Sequence, residues 1–253
     1  MTAPLILVTN DDGLDAPGIA ALADAAAPLG EVWVVAPATE QSAMSHALTL
    51  HRPLRLSQHG ERRYAVSGTP TDSVFFGVLN LLPRKPDLLL SGINRGPNLG
   101  EDVSYSGTVS AALEAAVMGI PALAFSHVKP EQDSDYLDGA ELARQLAGRV
   151  LEHGLPAGNY LNVNFPAVPR GEIRGVRVCR LGKRYYEDSI VECRDPRGRP
   201  YFWIGGSAYR FDEIPGTDCV AVHDGYASIT ALHTDPTDLA ACDMLRGWGL
   251  EDV

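Results

Sequence analysis

The chain has 253 residues, with 32 aspartates and glutamates against 21 lysines and arginines, which gives a formal charge of −11. Hydrophobic residues make up 45% and charged residues 21%, which is ordinary for a globular protein and too apolar for a disordered one. The acidic balance argues against general binding to nucleic acid or to anionic membranes, because both need a basic surface. An anionic substrate would therefore need a local positive group, such as a bound cation or backbone N–H groups.

Cysteine usage and the N-terminus indicate the compartment. The four cysteines, at positions 179, 193, 219 and 242, form no CxxC pair and have no zinc-ligand spacing, so we expect reduced thiols. The N-terminus reaches two aspartates after one short apolar run and has no basic segment, which predicts a strand rather than a signal peptide. No apolar stretch approaches the roughly 18 residues of a membrane span. We expect a soluble, cytoplasmic protein.

Residues 1–169 alternate between predicted strands and helices. The predicted strands are Leu5–Val8, Val32–Ala36, Leu48–Ser57, Arg63–Val66, Asp87–Ser91, Ala122–Phe125 and Tyr160–Phe165, with a hairpin through His59 and Gly60. Helices are predicted from Pro17 to Pro28, from Pro70 to about Leu82, from Thr108 to Met118 and from Leu137 to His153. This alternation predicts a doubly wound, mostly parallel sheet.

Residues 170–253 read as an extension of the same single domain. Residues 170–215 are rich in arginine and aromatic residues, with proline and glycine scattered through short strand-like pieces. We expect an antiparallel arm that packs against a partner subunit. The chain then returns through Val220–Val222 and Ala227–Leu232, with a strand turn at residues 223–225, to a last helix near Asp235 to Trp248.

Polar, glycine-containing clusters follow three of the predicted strands. They are residues 9–13, residues 37–46 and residues 91–100, with residues 104–108 soon after. In open α/β sheets, ligands bind beyond the carboxyl ends of the strands, where the strand order reverses. We therefore expect these clusters to converge on one pocket.

The first cluster contains the neighbouring aspartates Asp11 and Asp12. Two close carboxylates raise each other's pKa unless a cation or several donors compensate. A hard divalent ion such as Mg²⁺ or Mn²⁺ would do so, with neutral oxygen ligands from the serine- and asparagine-rich loops. The alternative interpretation is a turn at Asp12-Gly13 and a helix cap at Asp11.

The segment Ser106-Gly107-Thr108 begins a predicted helix and places N–H groups and two hydroxyls at the positive end of the helix dipole. It could hold a phosphate, beside the loop that contains Asn94 and Asn98. The alternative is an ordinary N-cap. The chain has no GxxxxGK[ST], GxGxxG or GxSxG motif, which argues against P-loop, dinucleotide-binding and serine-triad functions.

Several other polar residues have weaker interpretations. His46 follows the second cluster and is either an acid/base group or a structural histidine, of which the second is the commoner role. Arg180, Lys183 and Arg184 could contact a nucleotide or a neighbouring subunit, but we interpret them as a solvated face.

Taken together, these motifs resemble the SurE family, the stationary-phase survival proteins that act as nucleoside-monophosphate phosphatases. The matching motifs are Leu7–Gly13, Val35–Ser42 with Ser45-His46, Gly68–Asp72, Ser91–Gly100, Tyr105–Val109 and Ser228–Thr230. They span residues 5 to about 232 in the family's order, and the long motif at residues 91–100 is specific.

The resemblance implies a fold, a site and an assembly. The fold is a Rossmann-like three-layer αβα domain with a C-terminal hairpin and helix exchanged between subunits, in a homodimer or homotetramer. The implied substrates are nucleoside monophosphates, and short polyphosphate is left open. Carried onto this sequence, one divalent cation per subunit would be held by Asp11, Asp12, Ser42 and Asn94. The phosphate would be held by Asn98, Ser106, Gly107 and Thr108.

The residues also suggest a mechanism. Phosphoryl transfer requires mainly the positioning of groups and the neutralisation of charge. We expect a cation to bind one phosphate oxygen and activate water, while Asp11 or Asp12 orients that water or accepts its proton. Direct attack by Asp11, giving an aspartyl-phosphate, is the alternative. We favour the water route, because both aspartates are needed as ligands.

Two other functions compete with this 5'-nucleotidase activity. A non-catalytic nucleotide sensor could use the same pocket, although a simple anion binder would not place two aspartates beside its ligand. A phosphohydrolase of the haloacid dehalogenase type also begins from an aspartate after the first strand. That mechanism requires a DxD arrangement, which the segment from Asp11 to Asp15 does not provide.

Overall fold

The computed structural model describes residues 3–169, 171–186, 190–204 and 209–248, so parts of the predicted extension, residues 170, 187–189, 205–208 and 249–253, lie outside the described residues. The strands are β1 Leu5–Thr9, β2 Glu31–Pro37, β3 Leu56–Gly60, β4 Arg63–Val66, β5 Leu88–Arg95, β6 Ala122–His127, β7 Asn159–Phe165, β8 Val176–Cys179, β9 Arg184–Tyr186, β10 Ile190–Arg194, β11 Pro200–Ile204, β12 Tyr209–Phe211 and β13 Ala227–His233. The helices are α1 Pro17–Ala26, α2 Pro70–Phe76, α3 Gly107–Val117, α4 Tyr136–His153, α5 Asp218–His223 and α6 Leu239–Arg246.

The central sheet has the strand order β3-β4-β2-β1-β5-β6-β7-β13-β8. The run from β4 to β7 is parallel throughout, whereas β3 and β13 are antiparallel to β4 and β7. From β1 the chain moves outward through β2 and β4 on one side and later through β5, β6 and β7 on the other. The strand order therefore reverses between β1 and β5, which is where a doubly wound sheet binds its ligands.

Helices cover both faces of the sheet. In β1, Ile6 and Val8 pack into the core on the side of α1 and α4, whereas Leu5 and Leu7 pack into the core on the side of α2 and α3. All four side chains are buried, which explains why β1 reads as an unbroken apolar run rather than an alternating one. The predicted three-layer, Rossmann-like architecture is confirmed.

The predicted strand Leu48–Ser57 is largely wrong. Residues 48–55 form no strand, and β3 begins only at Leu56 before its antiparallel turn into β4. Pro53 explains the difference, because proline cannot donate to a strand ladder. The hairpin is confirmed, but its turn lies at residues 61–62, whereas His59 and Gly60 belong to β3.

The strand interpretation of Val220–Val222 is also wrong, because these residues lie in the short helix α5. Its buried residues Asp218, Cys219, Ala221 and Val222 follow helical rather than alternating spacing. Residues 223–225 therefore end a helix and are not a turn between strands. Elsewhere α2 ends at Phe76 and continues as a π-helical turn to Leu81.

The C-terminal extension contains antiparallel strand pairs, as predicted, although β8 runs parallel to β13. β10 pairs with β11 and β9 pairs with β12 in two small antiparallel sheets, while β8 joins the edge of the central sheet. All four cysteines are free thiols. Within the described ranges, no helix is both long enough and apolar enough to cross a membrane.

Candidate active site

The polar clusters meet at the point where the strand order reverses. β1 and β5 are neighbours in register, with Thr9 opposite Ser91, so the chain leaves both strands at the same edge. Thr9 Oγ1 and Ser91 Oγ are buried without a hydrogen-bond partner among the described residues. The loop after β2 reaches the same place, because the Gln41 N–H donates to the Asp11 carbonyl oxygen at 2.7 Å.

Asp11 is a buried carboxylate attached to the first turn of α3. Its Oδ2 accepts the backbone N–H of Thr108 at 3.1 Å, and its Oδ1 accepts the Thr108 hydroxyl. Burial raises the pKa of Asp11 to about 6, with a smaller contribution from the charge of Asp12, and the Thr108 hydroxyl opposes that rise. Helix α1 begins later, at Pro17 after Ala16. Asp11 is therefore not the cap of the helix that follows it.

Asp12 lies beside the end of β5. Its Oδ2 accepts the backbone N–H of Arg95 at 3.0 Å, which places the carboxylate next to Asn94. Burial raises the pKa of Asp12, and the charge of Glu40 adds to the effect. The Asn94 amide nitrogen donates to the Gly96 carbonyl at 2.8 Å, which leaves its amide oxygen as the atom suited to a cation.

Ser42 lies on the loop after β2, where its hydroxyl donates to Glu40 Oε1 at 2.6 Å. Ser42, Glu40, Asp12 and Arg95 line a cavity of about 350 Å³. Its lining also includes Pro130, Glu131, Gln132, Asp133 and Tyr136. The cavity therefore begins at the carboxylate of Asp12 and is predominantly acidic.

The first turn of α3 carries the predicted phosphate-binding residues. Ser106 is its N-cap and accepts the Val109 N–H at 3.1 Å, so the capping role that we weighed for it is present. A Cβ on Gly107 would lie 2.9 Å from Asp11 Cβ and 3.1 Å from Asp11 Oδ2. Thr108 directs both its N–H and its hydroxyl to Asp11. Asp11 and the start of α3 thus form one unit.

Asn98 is held by three polar side chains of β6 and β7, Ser126, Asn162 and Asn164, here called the polar ladder. Its N–H donates to Asn164 Oδ1 at 2.8 Å, and its Nδ2 donates to Ser126 Oγ at 2.7 Å. Its carbonyl oxygen accepts the side-chain amides of Asn162 and Asn164 at 2.8 and 3.0 Å. The ladder fixes the backbone of the loop after β5.

Four residues near the site were not predicted from the sequence: Glu40, Ser126, Asn162 and Asn164. Glu40 lay inside a polar cluster but was given no role. The other three lie on strands that we interpreted only as core. Ser126 is opposite Asn164 on the neighbouring strand, whereas Asn162 is opposite Ala124. Polar residues within otherwise apolar strands were the available signal.

The remaining candidate residues take different positions. His46 Nε2 lies 2.7 Å from Glu114 Oε2 on α3. Arg180 and Lys183 are exposed, as a solvated face requires, but Arg184 is not. The Arg184 side chain is 4% exposed and pairs with Asp102, and its N–H donates to Glu101 at 2.9 Å. Arg184 therefore attaches β9 to the loop that precedes α3.

The donor set fits a hard divalent cation. It offers two carboxylates, an amide oxygen and a hydroxyl, all of them oxygen donors. The hydrogen bonds of Asp11 use one acceptor position on each oxygen, and a carboxylate has about four. Among the described residues, no cluster of three or more histidine, cysteine, aspartate or glutamate side chains could hold a metal. A cation here would need the neutral ligands as well.

The fold and site define a Rossmann-like α/β protein with paired aspartates at its switch point. The family model described as survival protein SurE matches residues 6–188. Relatives described as 5'-nucleotidase SurE include one from Geotalea daltonii, 54% identical over 243 residues that cover 96% of this chain and 98% of that protein. Another, from Syntrophotalea carbinolica, is 52% identical and covers 97% of this chain and 98% of that protein.

A solved structure agrees with these relatives. The crystal structure of SurE protein from Aquifex aeolicus is similar with a TM-score of 0.84 at 41% identity, covering 97% of this chain and 100% of that one. The chain belongs to the SurE family.

Proposed function

We propose that this chain is a metal-dependent phosphomonoesterase that hydrolyses nucleoside monophosphates to nucleoside and phosphate. The relatives named 5'-nucleotidase SurE support the reaction class. The observation that carries the proposal is the pair of carboxylates at the switch point, one of which is buried against the start of α3. A protein that only bound phosphate would gain nothing from placing two anions there.

The cation, Mg²⁺ or Mn²⁺ with one ion per subunit, would be held by Asp11, Asp12, Ser42 and Asn94. When bound, it supplies charge neutralisation at the phosphate and activation of the attacking water. The raised pKa values of both aspartates support this ligand set, because a cation would stabilise the ionised carboxylates that burial disfavours. Ser42 and Asp12 line the same cavity.

The phosphate would be held by Asn98, Ser106 and Gly107, with Thr108 beside it, since the N–H and hydroxyl of Thr108 donate to Asp11. The N-terminus of α3 carries a partial positive charge, and Gly107 lets the backbone N–H groups approach the ligand closely. Asn98 supports this site from a loop that the ladder on β6 and β7 holds rigid. In a chain of net charge −11, such backbone donors offset the general repulsion of an anion.

The two aspartates have different roles. Asp12 faces the cavity and orients the attacking water or accepts its proton. Asp11 is 5% exposed, and Thr108 holds both of its oxygens. A carboxylate held in this way is a poor nucleophile, which favours attack by water over an aspartyl-phosphate. Isolation of a covalent phospho-enzyme would contradict this choice.

The extension mediates a homodimer or homotetramer by exchange of its hairpin and last helix between subunits. Support comes from the exposed apolar residues of β11 and α6. A cytoplasmic location is consistent with the four free thiols.

The decisive experiment is a panel of nucleoside monophosphates, with short polyphosphate as an additional substrate, assayed with and without a chelator and with Mg²⁺ or Mn²⁺ restored. We expect phosphate release that the chelator abolishes. Asp11→Asn should lower kcat by about 100-fold or more, because it weakens the cation site. Asp15→Asn is the matched control, since Asp15 is exposed on the same loop and should keep full activity.

Other outcomes assign other functions. Tight nucleotide binding in the presence of chelator, without hydrolysis of any substrate, would identify a nucleotide sensor. Full activity in Asp11→Asn would show that the paired aspartates are not the reaction centre.

A further inference from the structure

The loop that carries Ser42 has a strained backbone. Ala43 and Ser45 have φ angles of 58° and 51°, in the left-handed region that residues other than glycine rarely adopt. Such conformations persist only where the surroundings hold them in place, and they cluster at functional sites. The contacts that hold residues 41–46, here called the Ser42 loop, therefore determine where the Ser42 hydroxyl lies.

Two of these contacts join Ser45 to the segment before α3. The Ser45 N–H donates to the Tyr105 carbonyl at 3.1 Å, and its hydroxyl donates to the Ser104 carbonyl at 2.7 Å. At its other end, the loop is joined to Asp11 through the Gln41 N–H. The Ser42 loop therefore touches both the first strand end and the approach to α3.

The third contact is the pair formed by His46 and Glu114. The Glu114 side chain is 7% exposed, and its Oε2 lies 2.7 Å from His46 Nε2, whose side chain is 36% exposed. A buried carboxylate without a partner is costly, so the pair holds His46 firmly. Glu114 lies on α3, the same helix whose first turn binds Asp11 through Thr108.

We propose that the His46–Glu114 pair positions the Ser42 loop relative to Asp11. Helix α3 would then fix the positions of both Ser42 and Asp11 in the cation site. α3 holds Asp11 at its first turn and holds the Ser42 loop through Glu114. His46 is thus a positioning residue that does not touch the substrate. The inference rests on the proposed function, and specifically on Ser42 as a ligand of the cation.

The test is Mn²⁺ binding, measured by the decrease of the free Mn²⁺ electron paramagnetic resonance signal, together with steady-state kinetics. We expect His46→Ala to weaken Mn²⁺ binding by about tenfold, as loss of a residue that orients a metal ligand does. At saturating Mn²⁺, the KM for a nucleoside monophosphate should change by less than about twofold, since the phosphate contacts on α3 remain. Hydrogen exchange of residues 41–46 should become faster.

Conservative variants separate positioning from folding. His46→Gln keeps an N–H donor toward Glu114 and should recover most of the Mn²⁺ affinity. Glu114→Ala should resemble His46→Ala, and adding it to His46→Ala should cause little further loss, because the two residues act as a pair. His51→Ala, at an exposed histidine five positions later, is the control and should bind Mn²⁺ as the unmodified chain does.

Unchanged Mn²⁺ affinity and unchanged exchange in His46→Ala would overturn the inference while leaving the phosphatase function intact. A chain that binds Mn²⁺ but hydrolyses no phosphomonoester would overturn the proposed function. In that case, Mn²⁺ affinity and exchange in His46→Ala would still decide whether the pair positions the loop.

Discussion

Gly107 is the residue where the start of α3 and the carboxylate of Asp11 lie closest. An added Cβ would lie 2.9 Å from Asp11 Cβ and 3.1 Å from both Asp11 Oδ2 and Pro70 Cγ. Asp11 is bonded to Thr108 and Pro70 begins α2, so neither neighbour can move freely. Glycine is therefore needed at position 107 because a side chain would collide with Asp11 and Pro70, and not because the conformation of α3 requires it.

Gly107→Ala should consequently lower kcat/KM by about tenfold or more, because it displaces Asp11, and should lower the free energy of unfolding by about 1–3 kcal/mol. Gly148→Ala in α4 is the matched control. Its added Cβ would meet only Leu29 at 3.8 Å, and alanine favours a helix interior by about 1 kcal/mol. Urea denaturation and kinetics of both variants test this. Full activity in Gly107→Ala would show that Asp11 can shift without consequence.

At the same scale, the sequence suggested candidate residues for the site but not the contacts that the structure gives them. Asp11 and Asp12 are recognisable because adjacent carboxylates after a buried strand need compensation. The hydrogen bonds from Thr108 to Asp11 were not predictable, since they join positions 97 residues apart. For Ser106, the N-cap and phosphate-binding interpretations do not exclude each other. Ser106 caps α3, and a capping residue also lies at the positive end of the helix dipole.

At the scale of elements, the buried strands and long helices were predicted from local pattern alone. The local sequence pattern predicted the wrong element where tertiary packing overrode the intrinsic preference of the residues. The Val-Ala-Val run at residues 220–222 favours a strand intrinsically, but tertiary packing buries one face of it as helix α5. It also failed for the ladder on β6 and β7, because pairing between distant strands decides which polar residues face Asn98.

The ladder itself leads to a prediction about phosphate binding. Asn164 both accepts the Asn98 N–H and donates to the Asn98 carbonyl, so Asn164→Ala leaves two buried backbone groups of Asn98 with fewer partners. We expect the inhibition constant of inorganic phosphate to rise by about tenfold, because the loop after β5 is released. The free energy of unfolding should fall by about 1–3 kcal/mol.

The Mn²⁺ affinity of the same variant should stay within about twofold of the unmodified chain, since the aspartates do not depend on the ladder. Asn159→Ala is the control, because Asn159 lies at the other end of β7 from Asn164 and its side-chain amide donates to the Leu232 carbonyl at 3.2 Å. Equal inhibition constants of phosphate for Asn164→Ala and Asn159→Ala would show that Asn98 does not contribute to phosphate binding.

At the scale of the whole molecule, the extension exposes a run of consecutive apolar residues on one strand. β10 and β11 form a two-stranded sheet of their own, and a two-stranded sheet is only marginally stable in water. On β11, Phe202, Trp203 and Ile204 are 58%, 64% and 89% exposed. Exposed apolar patches of this kind mark surfaces that another protein covers.

The proposed self-association through β11 would occur against the chain's own charge. Two copies each of net charge −11 repel one another, and added salt screens that repulsion. We therefore predict that sedimentation velocity finds a dimer or tetramer of the 27.1 kDa chain, more strongly associated at 0.5 M than at 0.05 M salt.

The combined change Phe202→Ser and Trp203→Ser should shift the population to single chains. Val117→Ser, at a 59% exposed valine that ends α3, should not shift it. A single 27.1 kDa species in the unmodified chain at both salt concentrations would mean that β11 is covered by something other than a second copy.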